Sequence, residues 1–231
     1  MAKVLVMTDT VAGIPKDLAE EYQITVVPAA NIMFNGQVYT EGVTINATQA
    51  YELIKKDPDR FVTSAATPGQ LLEAYREVSK KSQAILFITI ASALSALFRT
   101  ANVALELFRA ESPQTTIRTL DSRTCAGAQG LVVLAAARAA AQGMSLEQVA
   151  SVAEQTREKT RGLMMLDTLR YIYRTGRMSK LTSRLASLFN IKPINRVTEA
   201  GTLEFVDKVR KREVGVERLL SLIRKEAGTD S

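Results

Sequence analysis

Two apolar runs leave this chain little choice of fold. Val4-Leu5-Val6-Met7 and residues 84–90 carry almost no polar side chain on either alternate face. A strand of that kind needs cover on both sides, the condition of a central strand in a parallel sheet with helices above and below. Helix signals stand between and after them. Pro15 opens a helix through Tyr22, and residues 47–56 form a second that stops before Pro58. Thr67, Pro68 and Gln70 make a capping box with proline in the first turn, and Ser145 with Gln148 makes another. Residues 24–34 read as one β-branched strand, with Asn35-Gly36 turning the chain back into 37–39. Further helices are expected over 71–80, 92–108, 124–142 and 146–161, and a strand over 116–120. This alternation predicts an α/β fold: a mostly parallel, doubly wound sheet lobe over residues 1–160. Residues 161–231 read differently. A strand at 163–166, a short helix to Tyr173, a helix near 181–188, a hairpin of 191–197 with 202–209 and an amphipathic helix over 214–226 predict a smaller α+β lobe.

Composition narrows the chemistry. The chain has 231 residues with no histidine and one cysteine, Cys125. Ser-His-Asp triads, Cys-His dyads and most zinc sites are therefore excluded, and no internal disulfide can form. No apolar run approaches the roughly 18 residues that span a bilayer. The N-terminus does not read as a signal peptide, so the expected location is the cytoplasm. Charge is uneven. From Arg157 onward there are 17 Lys and Arg against 9 Asp and Glu, a net of +8, while the rest has a net of −2. A basic C-terminal third suits an anionic partner, or is simply a solvated face.

Ligands of open parallel sheets bind beyond the carboxyl ends of the strands. The loops expected there repeat one residue type. They carry Thr8-Asp9-Thr10, Thr63-Ser64, Ser92 with Ser95, and Asp121-Ser122 with Thr124. Hydroxyls beside helix N-termini suit a carboxylate or a phosphate, although each also reads as an ordinary helix cap. No glycine-rich nucleotide loop is present, and Gly127 and Gly130 read as packing glycines early in a helix. Asp9, Asp121 and Asp167 lack a second carboxylate at ligand spacing, so no metal is expected. Cys125 lies at a helix N-terminus, a setting that lowers a thiol pKa, but no base accompanies it. Arg177, after Gly176, could clamp an anion. The run 208–212 is expected to discourage strand pairing, and the few aromatics do not interleave with the basic residues.

Together these segments resemble the DegV family of bacterial fatty-acid-binding proteins. Residues 8–15, TDTVAGIP, are similar to the family's TDSTADLP, and 63–69, TSAATPG, to its TSQPSPG. Val27-Pro28 with Gly36, Tyr39 and Glu41-Gly42 matches its second segment, and Leu94-Ser95-Ala96-Leu97 falls where the family has LSGT. Asp121-Ser122 with Gly127 and Gly130, residues 167–171 with 176–179, and Asn190-Ile191-Lys192-Pro193-Ile194 follow in family order. Ala65-Ala66, Ala96-Leu97 and Thr175 depart from it.

The resemblance implies a two-lobed fold with a long-chain fatty acid in an apolar tunnel between the lobes. Its carboxylate would meet Thr63 and Ser95, with Arg177 near the mouth and Ser64, Ser92, Asp121 and Ser122 as further candidates. It implies a carrier that presents the acid to a separate fatty acid kinase, with no catalytic residue, metal or cofactor of its own. The smaller lobe is expected to be shortened relative to the family, without its C-terminal histidine. Two other readings remain: a small-molecule enzyme or phosphate-ligand protein using Asp9, Asp121 or Asp167, and a nucleic-acid binder using the basic C-terminal lobe.

Overall fold

In the computed structural model, residues 3–175, 177 and 191–228 are described. The chain divides into two compact units, Met1–Thr160 and Arg161–Ser231.

The first unit is built on a four-stranded parallel sheet. Its strands are β1 (Val4–Asp9), β2 (Thr25–Val27), β6 (Ala84–Thr89) and β7 (Thr116–Asp121), in the order β2-β1-β6-β7. The two apolar runs are its two central strands: β1 is buried throughout and pairs with both β2 and β6. From β1 the chain first builds outward to β2 and later to β6 on the opposite side. The strand order therefore reverses between β1 and β6, where open sheets of this class place their ligands.

Helices cover both faces. On one, α3 (Pro68–Ser79) and α4 (Leu97–Glu111) bury Leu71, Tyr75, Leu97 and Phe108 against Met7, Ile85 and Phe87. On the other, α5 (Ala126–Ala141) and α6 (Leu146–Lys159) pack Val132, Val133, Ala136 and Val149 against Val4, Val6, Leu86 and Ile88, with Tyr22 after α1 (Lys16–Glu21) at the margin. The capping boxes at Thr67 and Ser145 form as expected, and Asn46 makes a third before α2 (Ala47–Lys56).

Three expectations need correction. Residues 24–34 are not one strand. Pro28 has no N–H for a ladder, so the chain leaves the parallel sheet after β2 and begins β3 (Ala30–Phe34) in another sheet. There β3 pairs antiparallel with β4 (Gln37–Thr40) and with β5 (Val62–Ala65), a strand the sequence reading missed. Finally, α4 starts at Leu97 rather than at 92, so Ser92 and Ser95 lie on the loop before it.

The second unit has an antiparallel sheet ordered β10-β9-β8, from β8 (Gly162–Met165), β9 (Lys192–Val197) and β10 (Leu203–Val209). The expected hairpin is β9–β10. Helix α7 (Arg212–Ala227) seats Gly215 against Met165 and Val209. The short helix expected to Tyr173 is a 3-10 turn, Ile172–Thr175. The helix expected near 181–188 lies outside the described residues.

Candidate functional site

The carboxyl ends of β1, β6 and β7 meet in a hydrogen-bonded edge around Asp9. Its side chain is buried. Oδ1 accepts from the Val11 amide at 3.0 Å, which tightens the chain into the turn Thr10–Ala12. Oδ2 accepts from the Ile90 amide at 2.8 Å and from Gln129 Nε2 at 3.0 Å. Burial pushes the Asp9 carboxyl above the usual range; the donors from Ile90, Gln129 and Val11 oppose that, and nearby Glu41 adds to it. Thr8 donates to the Ile88 carbonyl at 2.9 Å and accepts from Gln129 Nε2 at 3.2 Å. Thr10 donates to Glu41 Oε2 at 2.7 Å and accepts from the Ala29 amide at 3.1 Å.

The loop after β6 is fixed by its first three amides. Ile90 donates to Asp9, Ala91 to the Thr124 carbonyl at 2.9 Å, and Ser92 to Asp121 Oδ1 at 3.2 Å. Asp121 Oδ1 also accepts from the Arg123 amide at 2.8 Å, and the Asp121 carbonyl accepts from Arg157 at 3.1 Å. Ser122 is buried and donates to the Thr124 carbonyl at 3.1 Å, closing its own turn. Asp121 and Ser122 thus shape the edge, and their side chains already have partners. Ser95 differs. Its half-buried Oγ accepts from the Leu97 amide at 3.2 Å, so its proton remains available to an acceptor.

Thr63 and Ser64 lie on β5 and are exposed. Opposed residues of an antiparallel pair share a face, and successive residues alternate. Thr63 therefore shares a face with Ile32, whereas Ser64 lies on the other face with Asn31. That second face carries a reciprocal amide pair, Asn31 with Gln70 at 2.9 Å each way, joined by Thr40 at 3.1 Å. Thr63 and Ser64 cannot both line one face of a ligand. Ala65 and Ala66, which follow Thr63, and Leu97, which follows Ser95, belong to the same large apolar core as Val11 and Ile90.

Arg177 belongs to the second unit. It is exposed and donates to the Thr175 carbonyl at 2.8 Å. Asp167 is held below the usual carboxylate range by Lys192, which bonds it at 2.8 Å. Cys125 reverses its expectation. Burial pushes its thiol up, although it stands at the start of α5. Gly130 is a packing glycine, since a Cβ there would stand 2.7 Å from the Ala12 carbonyl oxygen; Gly127 has nothing within 4 Å and is not. Sequence reading missed Gln129. The available signal was an uncharged polar residue on the buried face of an alanine-rich helix, one turn past the Asp121 loop.

A family profile described as "Uncharacterised protein, DegV family" matches residues 3–231. The chain belongs to the DegV family. DegV domain-containing protein TTE1491 of Caldanaerobacter subterraneus subsp. tengcongensis is 32% identical over 230 residues, covering all of this chain and 79% of that protein. The crystal structure of DegV, a fatty acid binding protein from Bacillus subtilis, superimposes with a TM-score of 0.83 at 28% identity, over 99% of this chain and 79% of that one. The Streptococcus pneumoniae fatty acid kinase (Fak) B3 protein, loaded with linoleic acid, shares the fold, with a TM-score of 0.83 at 23% identity over 97% of this chain and 79% of that one. Among the described residues of this DegV chain, no helix is long and apolar enough to cross a membrane.

Proposed function

We propose that this chain binds a long-chain fatty acid and presents its carboxylate to a fatty acid kinase, acting in the cytoplasm as carrier rather than catalyst. The observation that carries this reading is the likeness, over 99% of the chain, to the fatty-acid-binding DegV of Bacillus subtilis. The kinase step rests on the shared fold of the fatty acid kinase B3 protein.

The chemistry of the edge agrees. A carboxylate only accepts hydrogen bonds, so it needs donors. The Ser95 hydroxyl has its oxygen engaged by Leu97 and its proton to give, and Thr63 presents an exposed hydroxyl from β5. In this reading Thr63 and Ser95 hold the head group, and Arg177 of the second unit is a further anion-binding candidate. Ser92 is a further donor. Ser64, on the other face of β5, is a weaker one, while Asp121 and Ser122 hold the loops. Burying a sixteen-carbon tail at roughly 0.8 kcal/mol per CH₂ supplies on the order of 10 kcal/mol before association costs. The rival readings lose ground at the same residues. Asp9 and Asp121 are engaged by backbone donors. In the second unit Lys192, Arg196 and Arg218 are paired with Asp167, Glu226 and Asp207, which reduces the basic surface open to phosphates.

Solvent extraction of the purified protein followed by mass spectrometry is expected to release an acyl chain, or the emptied protein to take up added palmitate. Neither result would leave the proposal without support. Thr63→Val with Ser95→Ala is expected to weaken palmitate binding about tenfold or more, since bonds to a charged group contribute roughly 1.5–3 kcal/mol, and to leave hexadecanol binding much less affected. Equal losses for acid and alcohol would refute head-group recognition by these two hydroxyls.

A further inference from the structure

Gln129 is buried completely in α5, yet only half of its amide is used. Nε2 donates to Asp9 Oδ2 and Thr8 Oγ1, while Oε1 has no partner among the described residues. An unpaired buried oxygen is a liability that a methionine of similar length would remove. What Gln129 supplies instead is a donor aimed at a carboxylate shut away from water, which needs every donor it can get. The same oxygen, Asp9 Oδ2, holds the Ile90 amide at 2.8 Å. Ile90 begins the short loop that ends in Ser95, and the Ser95 amide in turn donates to the Ala91 carbonyl at 3.1 Å. The next two amides of that loop, those of Ala91 and Ser92, are held by the Thr124 carbonyl and by Asp121, both from the side of β7. Of the three, Asp9 is the anchor that comes from β1, across the point where the strand order reverses.

We infer that Gln129 is a positioning residue: by fixing the Asp9 carboxylate on the Ile90 amide, it sets where the Ser95 hydroxyl stands and so how strongly the site prefers an acid over an alcohol. This rests on the fatty-acid reading above. A purely structural role would lower stability and weaken all ligands together. A positioning role acts on head-group discrimination and disappears when the Ser95 hydroxyl is gone.

The test uses the full chain with palmitate and hexadecanol as probes, comparing wild type, Gln129→Met, Ser95→Ala and the double variant, with melting followed in parallel. Gln129→Met is expected to lower the palmitate-to-hexadecanol affinity ratio about tenfold, and to lower it no further on the Ser95→Ala background. An unchanged ratio, or an equal drop on both backgrounds, overturns the inference. Should Gln129→Met fail to fold, the near-isosteric Gln129→Glu carries the same comparison, because a second carboxyl facing Asp9 disturbs its hold on Ile90. A wild-type protein that takes up no palmitate overturns the fatty-acid reading and this inference with it; uptake with an unchanged ratio overturns the inference alone.

Discussion

Tyr75→Ala is expected to cost about 3–5 kcal/mol of folding stability, the range for emptying a buried aromatic site. Tyr75 is fully buried at the centre of the α3–α4 layer. Its ring meets Phe87 of β6 edge-on at 6.0 Å and Phe108 of α4 at 5.9 Å, so one side chain ties both helices to a central strand. Its hydroxyl donates to the Ala101 carbonyl at 3.1 Å, and burial pushes that hydroxyl's pKa upward. Tyr75→Phe keeps the ring and loses only this bond, with an expected cost of about 0.5–1.5 kcal/mol. A domain is stable by about 5–15 kcal/mol in all, so the alanine variant should lose a substantial part of its margin. Urea unfolding of the three proteins checks this. Closely similar losses for alanine and phenylalanine would mean that the aromatic cluster does not hold the layer.

Gly130→Val should be comparably damaging for the opposite reason. A Cβ at Gly130 would sit 2.7 Å from the Ala12 carbonyl oxygen, a backbone atom that cannot swing aside. Either α5 or the turn after β1 must move, at an expected cost of about 1–3 kcal/mol or more. Gly130→Ala meets the same carbonyl, a clash that outweighs its gain in helix propensity of about 1 kcal/mol. Gly127→Ala, three residues earlier with nothing within 4 Å, should stabilise by up to about 1 kcal/mol. Opposite signs at the two glycines, read from melting temperatures, are the expected result; stabilisation by Gly130→Ala would show that α5 does not pack on that turn.

The two glycines also mark how far the sequence could be read. Both looked like packing glycines in an apolar helix, and only the distance to Ala12 separates them. The central strands were legible because residues 4–7 and 84–90 have no polar face, and the helices because Thr67 with Gln70 and Ser145 with Gln148 announce their starts. Strand β5 was not legible: Val62–Ala65 is short, mostly exposed and lacks an alternating apolar pattern. The start of α4 was misplaced because Ala96, with no side-chain cap, opens it. At the site, the hydroxyl loops could be located from their neighbours in the chain. Gln129 could not, since its partner Asp9 lies 120 residues away and local patterning carries no information about that pairing.

The departure of the chain from the parallel sheet at Pro28 has a dynamic consequence. The antiparallel ribbon β4-β3-β5 is hydrogen-bonded to the rest of its unit at Thr10, whose hydroxyl accepts from Ala29 and donates to Glu41, and at Gln70, which bonds Asn31 and Thr40. A ribbon joined through these few side-chain bonds is expected to open before the four-stranded sheet does, with hydrogen exchange as the measurement. Thr63 rides on that ribbon, whereas the loop of Ser95 is tied to the parallel-sheet edge through Asp9, Thr124 and Asp121, so a guest held by both would couple the opening of the ribbon to that edge.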